Sequence, residues 1–223
     1  MSQEDWLSVA RDTLIGEGVE HVRILSLAQK LGVSRSSFYW YFKGRQDMLD
    51  QLLAFWRGKN TQGIVDQAMK PSDTIVRGVL NLFECWTNDE LFDPRLDFAI
   101  REWSRRSAEV KKILHQSDDE RVEAICKLFR RHGYKKTEAF IRARVVYFMQ
   151  VGYYAIEIDE PLEKRFSYLS TYIRSFTGQD ASETDLERFR RVASRPRLRQ
   201  HPNPPVNLPG AGQIEEIGPA LKR

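Results

Sequence analysis

The chain has 223 residues, enough for one ordinary domain plus a small one or for a single larger domain, and its hydrophobic content of 41% can fill a core. The net charge of +4 is too small to indicate a nucleic-acid partner by itself. The first residues lack the features of a secretory signal, and the apolar run Val145–Met149 is too short to cross a membrane. We therefore expect a cytoplasmic protein without membrane contact.

Apolar residues recur at a helical spacing along almost the whole chain, so we predict an all-α fold of about nine helices without strands. The first helix begins near Ser2, which opens a capping box. The second ends at Gly32, where a left-handed residue is favoured. Ser34 is expected to cap the third helix, and Gly44 separates it from a longer helix that contains Leu49.

Further helices are predicted after Pro71, after Asp93-Pro94, around residues 122–129, and over 137–158 and 162–176. Residues 182–193 indicate one more helix with a weak apolar face. The segment from Arg195 onward holds six prolines and few large apolar groups, so we predict that it is disordered. Three parts follow from this pattern: 1–46, 47–178 and 179–223.

The distribution of charge in the first part is uneven. Between Arg23 and Arg45 there are five basic residues and no acidic one, although acidic residues flank the window on both sides. Such a window is typical of a surface that contacts phosphates. A solvated helix face is the alternative that charge alone leaves open.

Two short helices in the same window are joined through Gly32, as in a helix-turn-helix. In the second of them Phe38 and Phe42 share one face, which leaves Ser36, Ser37 and Trp40 pointing away from the core. Small side chains near its N-terminus allow close entry into the major groove. An ordinary helical hairpin is the competing interpretation, but it leaves a short helix crowded with polar and aromatic groups unexplained.

The runs Leu27–Ser34 and Phe38–Lys43 resemble the N-terminal domain of TetR-type transcriptional regulators, and the resemblance covers about the first 55 residues. It implies a homodimer in which a three-helix DNA-binding domain precedes a larger helical domain that dimerises and often binds a small effector. By position, the base-reading residues are Arg35, Ser36 and Ser37. The residues that match phosphate contacts are Tyr39, Tyr41, Lys43 and Arg45.

The helix over 137–158 is apolar on nearly all sides from Val145, so it has to be covered on two faces. One face meets its own domain, and the other is expected to pair with a partner chain in a four-helix interface together with the helix over 162–176. A central helix of a monomeric bundle is the alternative. The expected interface residues are Gly152, Ala155, Tyr168 and Tyr172.

Aromatic residues are spread over the helices that should enclose the interior of the second part. They are candidates for an effector pocket, although aromatic residues at helical spacing also form plain core. Arg101 and Glu102 are expected to be polar groups of the pocket or a surface pair. The candidate pocket residues are Phe83, Trp86, Phe98, Trp103, Phe129, Tyr147, Gln150 and Tyr154.

No catalytic, metal or cofactor motif is present in the sequence. The four histidines are scattered, Cys85 and Cys126 fit core positions, and there is no phosphate loop or nucleophile motif. The acidic run 118–120 resembles a divalent-cation site, but we expect it at a helix start, where carboxylates complement the helix dipole. A helical enzyme with a DNA-binding domain is therefore not favoured.

The sequence thus predicts a dimeric regulator of transcription that binds double-stranded DNA at a palindromic operator. A repressor is expected more than an activator, with release caused by a small, largely apolar effector. The competing hypothesis is an architectural protein that binds DNA without sequence preference and has no effector.

Overall fold

The computed structural model describes residues 1–156, 158 and 160–194. These residues form ten α-helices and no strand, which confirms the predicted all-α fold. Short 3-10 helices cover Val19–His21 and Arg35–Trp40, and a π-helical turn covers Arg57–Thr61. The α-helices are α1 (Gln3–Glu17), α2 (Ile24–Leu31), α3 (Arg45–Trp56), α4 (Gln62–Met69), α5 (Ile75–Trp86), α6 (Pro94–Ser104), α7 (Ala108–Arg131), α8 (Lys136–Ala155), α9 (Leu162–Thr177) and α10 (Glu183–Ala193).

The limits of the first helices follow from the sequence. Ser2 and Asp5 form the predicted capping box at α1, and Gly32 ends α2 in the left-handed conformation with φ 66°. The ring of Phe38 lies edge-on to Trp6 at 5.3 Å and stacks on Phe42 at 4.9 Å. These aromatic contacts hold the segment after Gly32 against α1.

The third helix differs from the prediction, because Arg35–Trp40 is a 3-10 helix of six residues. Its backbone uses i→i+3 hydrogen bonds, such as that from the Ser37 amide to the Ser34 carbonyl at 3.2 Å. The Ser37 hydroxyl donates to the same carbonyl at 2.8 Å, and no side chain caps the helix start. Competition of serine side chains for backbone groups favours a tight, short helix of this kind. We call Arg35–Trp40 the recognition helix.

Two clusters of buried side chains divide the described part of the chain. The first includes α1, α2, the recognition helix and α3, and it continues through Ile100 of α6 to Leu114 of α7. The second is formed by α4, α5, α9, α10, most of α8 and the C-terminal half of α7. Residues 45–69 run as one continuous helical rod, through the π-turn, from the first cluster into the second. The rod is thus a direct mechanical link between the two clusters.

Two predictions about helix limits need correction or extension. Residues 118–120 lie in the middle of α7, which begins after the cap Ser107, and not at a helix start. The weak helix over 182–193 is present as α10, where Leu186, Phe189 and Ala193 are buried. The predicted disorder from Arg195 onward falls outside the described residues.

Over the described residues, no helix has the length and apolar character needed to cross a bilayer.

Candidate DNA-binding surface and the helical interior

The recognition helix presents a polar and aromatic outer face. Arg35 and Ser36 are exposed, the side chain of Tyr39 is 49% exposed and that of Trp40 is 80% exposed. The intervening Phe38 is fully buried. An aromatic side chain held in solvent beside a buried one indicates a surface that meets a partner.

Arg35 has a preferred position on this face. Its guanidinium donates to the Tyr39 hydroxyl at 3.1 Å and lies 5.9 Å from the centre of the Tyr39 ring. None of the carboxylates in the described residues forms an ion pair with it. The planar donor fork is therefore available to a guanine edge or a phosphate.

The serines of this face are held by local bonds. The hydroxyl oxygens of Ser34 and Ser36 are 2.8 Å apart, and the half-buried Ser37 donates its hydroxyl to the Ser34 carbonyl. Ser36 can exchange its partner for a base edge at little cost because it is exposed. Ser37 would have to give up a backbone bond.

Two kinds of side chain occur among the residues matched to phosphate contacts. The Lys43 side chain is exposed, whereas the polar groups of Tyr41 and Arg45 already donate to backbone carbonyls. Lys43 is exposed, and its backbone amide donates to Asp47 at the start of α3. The Tyr41 hydroxyl donates to the carbonyl of Met1 at 2.7 Å. Arg45 donates to the carbonyls of Val19 and Val22, each at 2.6 Å. The structure thus corrects the expectation for Arg45, whose guanidinium holds the loop before α2 instead of facing outward.

The basic window is also smaller than the sequence indicates. The ammonium of Lys30 binds Glu17 of α1 and donates to Thr13 at 2.9 Å. This ion pair neutralises one of the five cations, and Arg45 is used inside the domain. Besides Arg45, three cations of the window are without an ion pair among the described residues: Arg35 and Lys43 near the recognition helix, and Arg23, which donates to the Glu20 carbonyl at 2.8 Å before α2.

Trp40 is a further candidate for DNA contact. The sequence pattern predicted only that its side chain points away from the core. The pattern carried the necessary information, because Phe38 and Phe42 define the buried face, and Trp40 lies outside it. Its indole can pack on sugars or on a thymine methyl group.

A buried ionic network lies where the rod crosses to the second cluster. At its centre is Arg121 of α7, which is 0% exposed. It donates to Asp97 at 2.9 Å, to the Tyr147 hydroxyl at 2.9 Å and to Thr61 of the π-turn at 3.1 Å. Its guanidinium also lies 5.1 Å from the centre of the Trp56 ring. One side chain thus contacts the rod, α6 and α8.

Arg101 and Asp118 complete the network. Arg101 donates to both oxygens of Asp118, at 2.8 and 3.0 Å, and to Asp97 at 3.0 Å, while Tyr147 donates to Asp118 at 2.6 Å. Burial raises the pKa of Asp97, but Arg121 and Arg101 lower it by more, so the pKa of this carboxylate lies below its usual range. The expectation that Arg101 belongs to a surface pair or to a pocket is therefore wrong, and Tyr147 also belongs to this network.

A cavity lies between α5, α8, α9 and α10. The volume inside it that a water-sized sphere can occupy is about 50 Å³, and the empty space between its walls is about 540 Å³ when the part open to solvent is included. Phe83 and Gln150 are the two predicted pocket residues that line it. Charged, aromatic and aliphatic groups from α9 and the preceding segment complete the walls, among them Tyr153, Glu160, Arg165, Phe166, Tyr168 and Tyr172.

The other predicted pocket residues lie elsewhere. Trp86, Phe129 and Tyr154 pack in the second cluster but do not line the cavity. Trp103 is buried in the first cluster, and Phe98 is half-buried on α6. Helical periodicity identified them as inward-facing, but it could not tell which of two cores each one enters.

The outward side of α8 carries an apolar stripe. Ile141, Val145, Phe148, Gly152 and Ala155 are separated by four, three, four and three residues, which is the spacing of a helix-pairing seam. Ile141, Val145 and Phe148 are each about half exposed. A Cβ atom added at Gly152 would meet no atom within 4 Å. Tyr168 and Tyr172 of α9 are also partly exposed.

Metal ligands are not grouped in the described part of the chain. No three histidine, cysteine or acidic side chains come together there in a way that could hold an ion. The carboxylates of the network are bound by arginines and by tyrosine.

The segment that contains the recognition helix matches a known family of proteins. Residues 7–52 match the model of the family described as bacterial regulatory proteins, tetR family. None of the curated protein sequences compared with the chain matches it significantly. The match covers α2, the recognition helix and most of α1 and α3.

Solved structures share the fold over most of the chain. Salmonella enterica GusR is 12% identical over 85% of this chain and 94% of its own, with a TM-score of 0.55. The crystal structure of Mycobacterium smegmatis AmtR is 15% identical over 86% and 92%, with a TM-score of 0.59. BioQ with its double-stranded DNA operator is 17% identical over 80% and 96%, but its TM-score of 0.40 is too low to support an argument. At these identities the likeness shows the fold alone.

Proposed function

Because the chain belongs to the TetR family of DNA-binding transcriptional regulators, which are not enzymes, we propose that it is a dimeric repressor released from a palindromic operator by a small effector. The observation that carries the proposal is the outer face of the recognition helix. That face holds the exposed fork of Arg35 and a tryptophan that is 80% exposed, beside a buried phenylalanine. We assign DNA binding to residues 1–46 and effector binding and dimerisation to 47–178, while α10 in the segment 179–223 adds Phe189 to the cavity wall.

In the proposed complex the recognition helix lies in the major groove. Arg35 donates two hydrogen bonds to a guanine, and Ser36 and Ser37 allow close approach to neighbouring base edges. Trp40 packs beside them. The phosphate contacts come from Tyr39, Tyr41 and Lys43, which position the helix without reading sequence.

Dimerisation is supported by the stripe on α8. An exposed seam with half-exposed Ile141, Val145 and Phe148 is unfavourable in water, and a second copy related by a twofold axis would cover it. Gly152 and Ala155 then allow close helix contact, while Tyr168 and Tyr172 extend the interface to α9. Two recognition helices about 34–36 Å apart, or at a related spacing, would match successive major grooves.

The proposed coupling runs through the ionic network. Gln150 of the cavity follows Tyr147 by about one turn of α8, and Tyr147 bonds Arg121, which packs on Trp56 of the rod. A ligand that shifts α8 therefore changes the contacts of the rod that carries the DNA-binding domain. A coupling free energy of about 1–3 kcal/mol would change DNA affinity roughly 5- to 150-fold.

The test is a binding experiment on DNA selected by the protein from a random duplex library. We expect an inverted repeat to be enriched and to bind at least about 10³-fold more tightly than random duplex at physiological salt. An architectural protein would instead bind all duplexes alike, with a salt dependence set only by phosphate contacts. Equal affinity for the selected and random duplexes would refute the proposed repressor.

A further inference from the structure

We propose that the cavity between α5, α8, α9 and α10 binds a small organic anion, with an apolar body against the aromatic walls and a carboxylate head at Gln150 and Arg165. This inference rests on the proposed function, because it gives the chemistry of the effector. It goes beyond that function, since the aromatic walls alone specify only an apolar molecule.

The walls favour a flat or chain-like apolar body. The ring of Phe189 lies edge-on to Phe166 at 6.0 Å and to Phe83 at 6.3 Å between ring centres. Leu162 and Leu169 add aliphatic surface. Binding of an apolar group against this lining is favoured by about 25 cal/mol for each Å² of apolar surface removed from water.

Gln150 is the first indication of a polar head. Its side chain lines the cavity and is only 4% exposed, yet its amide nitrogen has no hydrogen-bond partner among the described residues. A buried donor without a partner is costly, and an aliphatic residue would pack at this position without that cost. A ligand with an acceptor oxygen at this point would satisfy the amide.

Arg165 gives the sign of the charge. Its guanidinium is half-buried at the cavity and lies 5.1 Å from the centre of the Tyr153 ring, without a carboxylate in ion-pair range among the described residues. Glu160 also lines the cavity, but Lys164 binds it at 3.1 Å. Among the described residues of the cavity wall, the charge left without an ion-pair partner is therefore that of Arg165, and this positive charge favours an anionic head.

The experiment uses three probes with the same ring system: 2-naphthoate, 2-naphthamide and 2-naphthylmethylammonium. Binding to the full chain is measured by calorimetry and by the shift in melting temperature. We expect naphthoate to bind roughly tenfold or more tightly than the amide, as charge-assisted hydrogen bonds are stronger than neutral ones, and the ammonium compound not to bind.

Two variants of Arg165, one of Gln150 and a control localise the head. Arg165→Gln should remove the preference for naphthoate, and Arg165→Glu should reverse it in favour of the ammonium probe. Gln150→Leu should weaken naphthoate and naphthamide alike, by roughly tenfold, without lowering the melting temperature of the free protein. Arg174→Gln, on the exposed part of α9 where Arg174 pairs with Asp180, should change nothing.

Three outcomes would overturn the inference. They are binding of the ammonium probe as tight as that of naphthoate, an unchanged preference in Arg165→Gln, and no binding of any probe. Operator affinity, measured by fluorescence anisotropy in the presence of each probe, distinguishes failure of the proposed anion site from failure of the proposed repressor function. If naphthoate binds in the cavity without changing operator affinity, the site stands and effector release fails. If no probe binds but the inverted repeat is still preferred, the site fails and operator binding stands.

Discussion

The indole nitrogen of Trp56, at the end of α3, donates a 2.8 Å hydrogen bond to the carboxylate of Asp97 on α6. Both groups are buried, and the same carboxylate oxygen accepts from Arg121. A directional bond at this point fixes the rod relative to α6. The DNA-binding domain therefore cannot tilt freely on the rest of the chain without breaking a buried polar contact.

Trp56→Phe removes this bond while keeping an aromatic ring. We expect a decrease of about 1–3 kcal/mol in the free energy of unfolding, because Asp97 loses a donor in a buried site. Trp6→Phe is the matched control, since Trp6 is fully buried and its indole nitrogen has no partner among the described residues. Urea unfolding of both variants isolates the bond. If the two lose the same stability, the Trp56 bond contributes nothing.

Arg121→Met keeps much of the length of the side chain and removes its charge. We expect a decrease of about 3–5 kcal/mol in the free energy of unfolding, since Asp97 keeps its negative charge in a buried site with fewer partners. Lys127→Met, on the same helix, removes an exposed cation paired with Glu123 and should cost less than about 1 kcal/mol. Similar unfolding curves for both variants would show that the network does not stabilise the fold.

Because the pKa of Asp97 is lowered in the folded chain, the free energy of unfolding should depend on pH in the acid range. A carboxylate with a depressed folded pKa contributes stability that is present above its unfolded pKa of about 3.8 and is lost as pH falls through the folded value. Asp97→Asn should therefore lower stability at pH 7 and flatten its decline below about pH 4. Unfolding by urea at a series of pH values measures both. A variant whose decline matches that of the unmodified chain would contradict the assignment.

Arg35 and Lys43 should differ in what they contribute to DNA binding. Arg35→Ala should cost about 1–3 kcal/mol on the operator and relax preference at one base pair, since its two hydrogen bonds to a guanine are removed. Lys43→Ala should weaken all duplexes alike and lower the salt slope by about 0.9 for each phosphate that is no longer neutralised. Anisotropy titrations on the operator and its single-base variants, across salt, separate them. A changed base preference in Lys43→Ala, with uniform weakening in Arg35→Ala, would place the helix differently in the groove.

Gly152→Arg tests the seam on α8. An added side chain meets nothing within 4 Å in the single chain, so the fold should stay intact, whereas two copies packed through this seam would clash. We expect sedimentation to show a monomer and operator affinity to fall steeply. Ser170→Arg, at an exposed position of α9, is the control and should remain dimeric. A dimeric Gly152→Arg protein would place the interface elsewhere.

The sequence alone was sufficient for the all-α fold, the capping box at Ser2, the left-handed Gly32 and the outward side of the recognition helix. All of these depend on short-range spacing and on backbone preferences that the neighbouring residues determine. The family resemblance rested on the same local pattern, and the comparison of residues 7–52 confirmed it. The local pattern did not show that the recognition helix is of the 3-10 type.

Only the tertiary structure decided which partner each polar or aromatic group has. The sequence assigned Arg45 to DNA and Arg101 to the surface or a pocket. Apart from Asp97, which is four positions from Arg101, their partners lie 17 to 46 positions away along the chain. Trp103 and Phe83 have the same periodic signature and enter different cores. Periodicity shows that a side chain faces inward, whereas the meeting of α3, α6, α7 and α8 around Arg121 depends on how helices distant in sequence pack together.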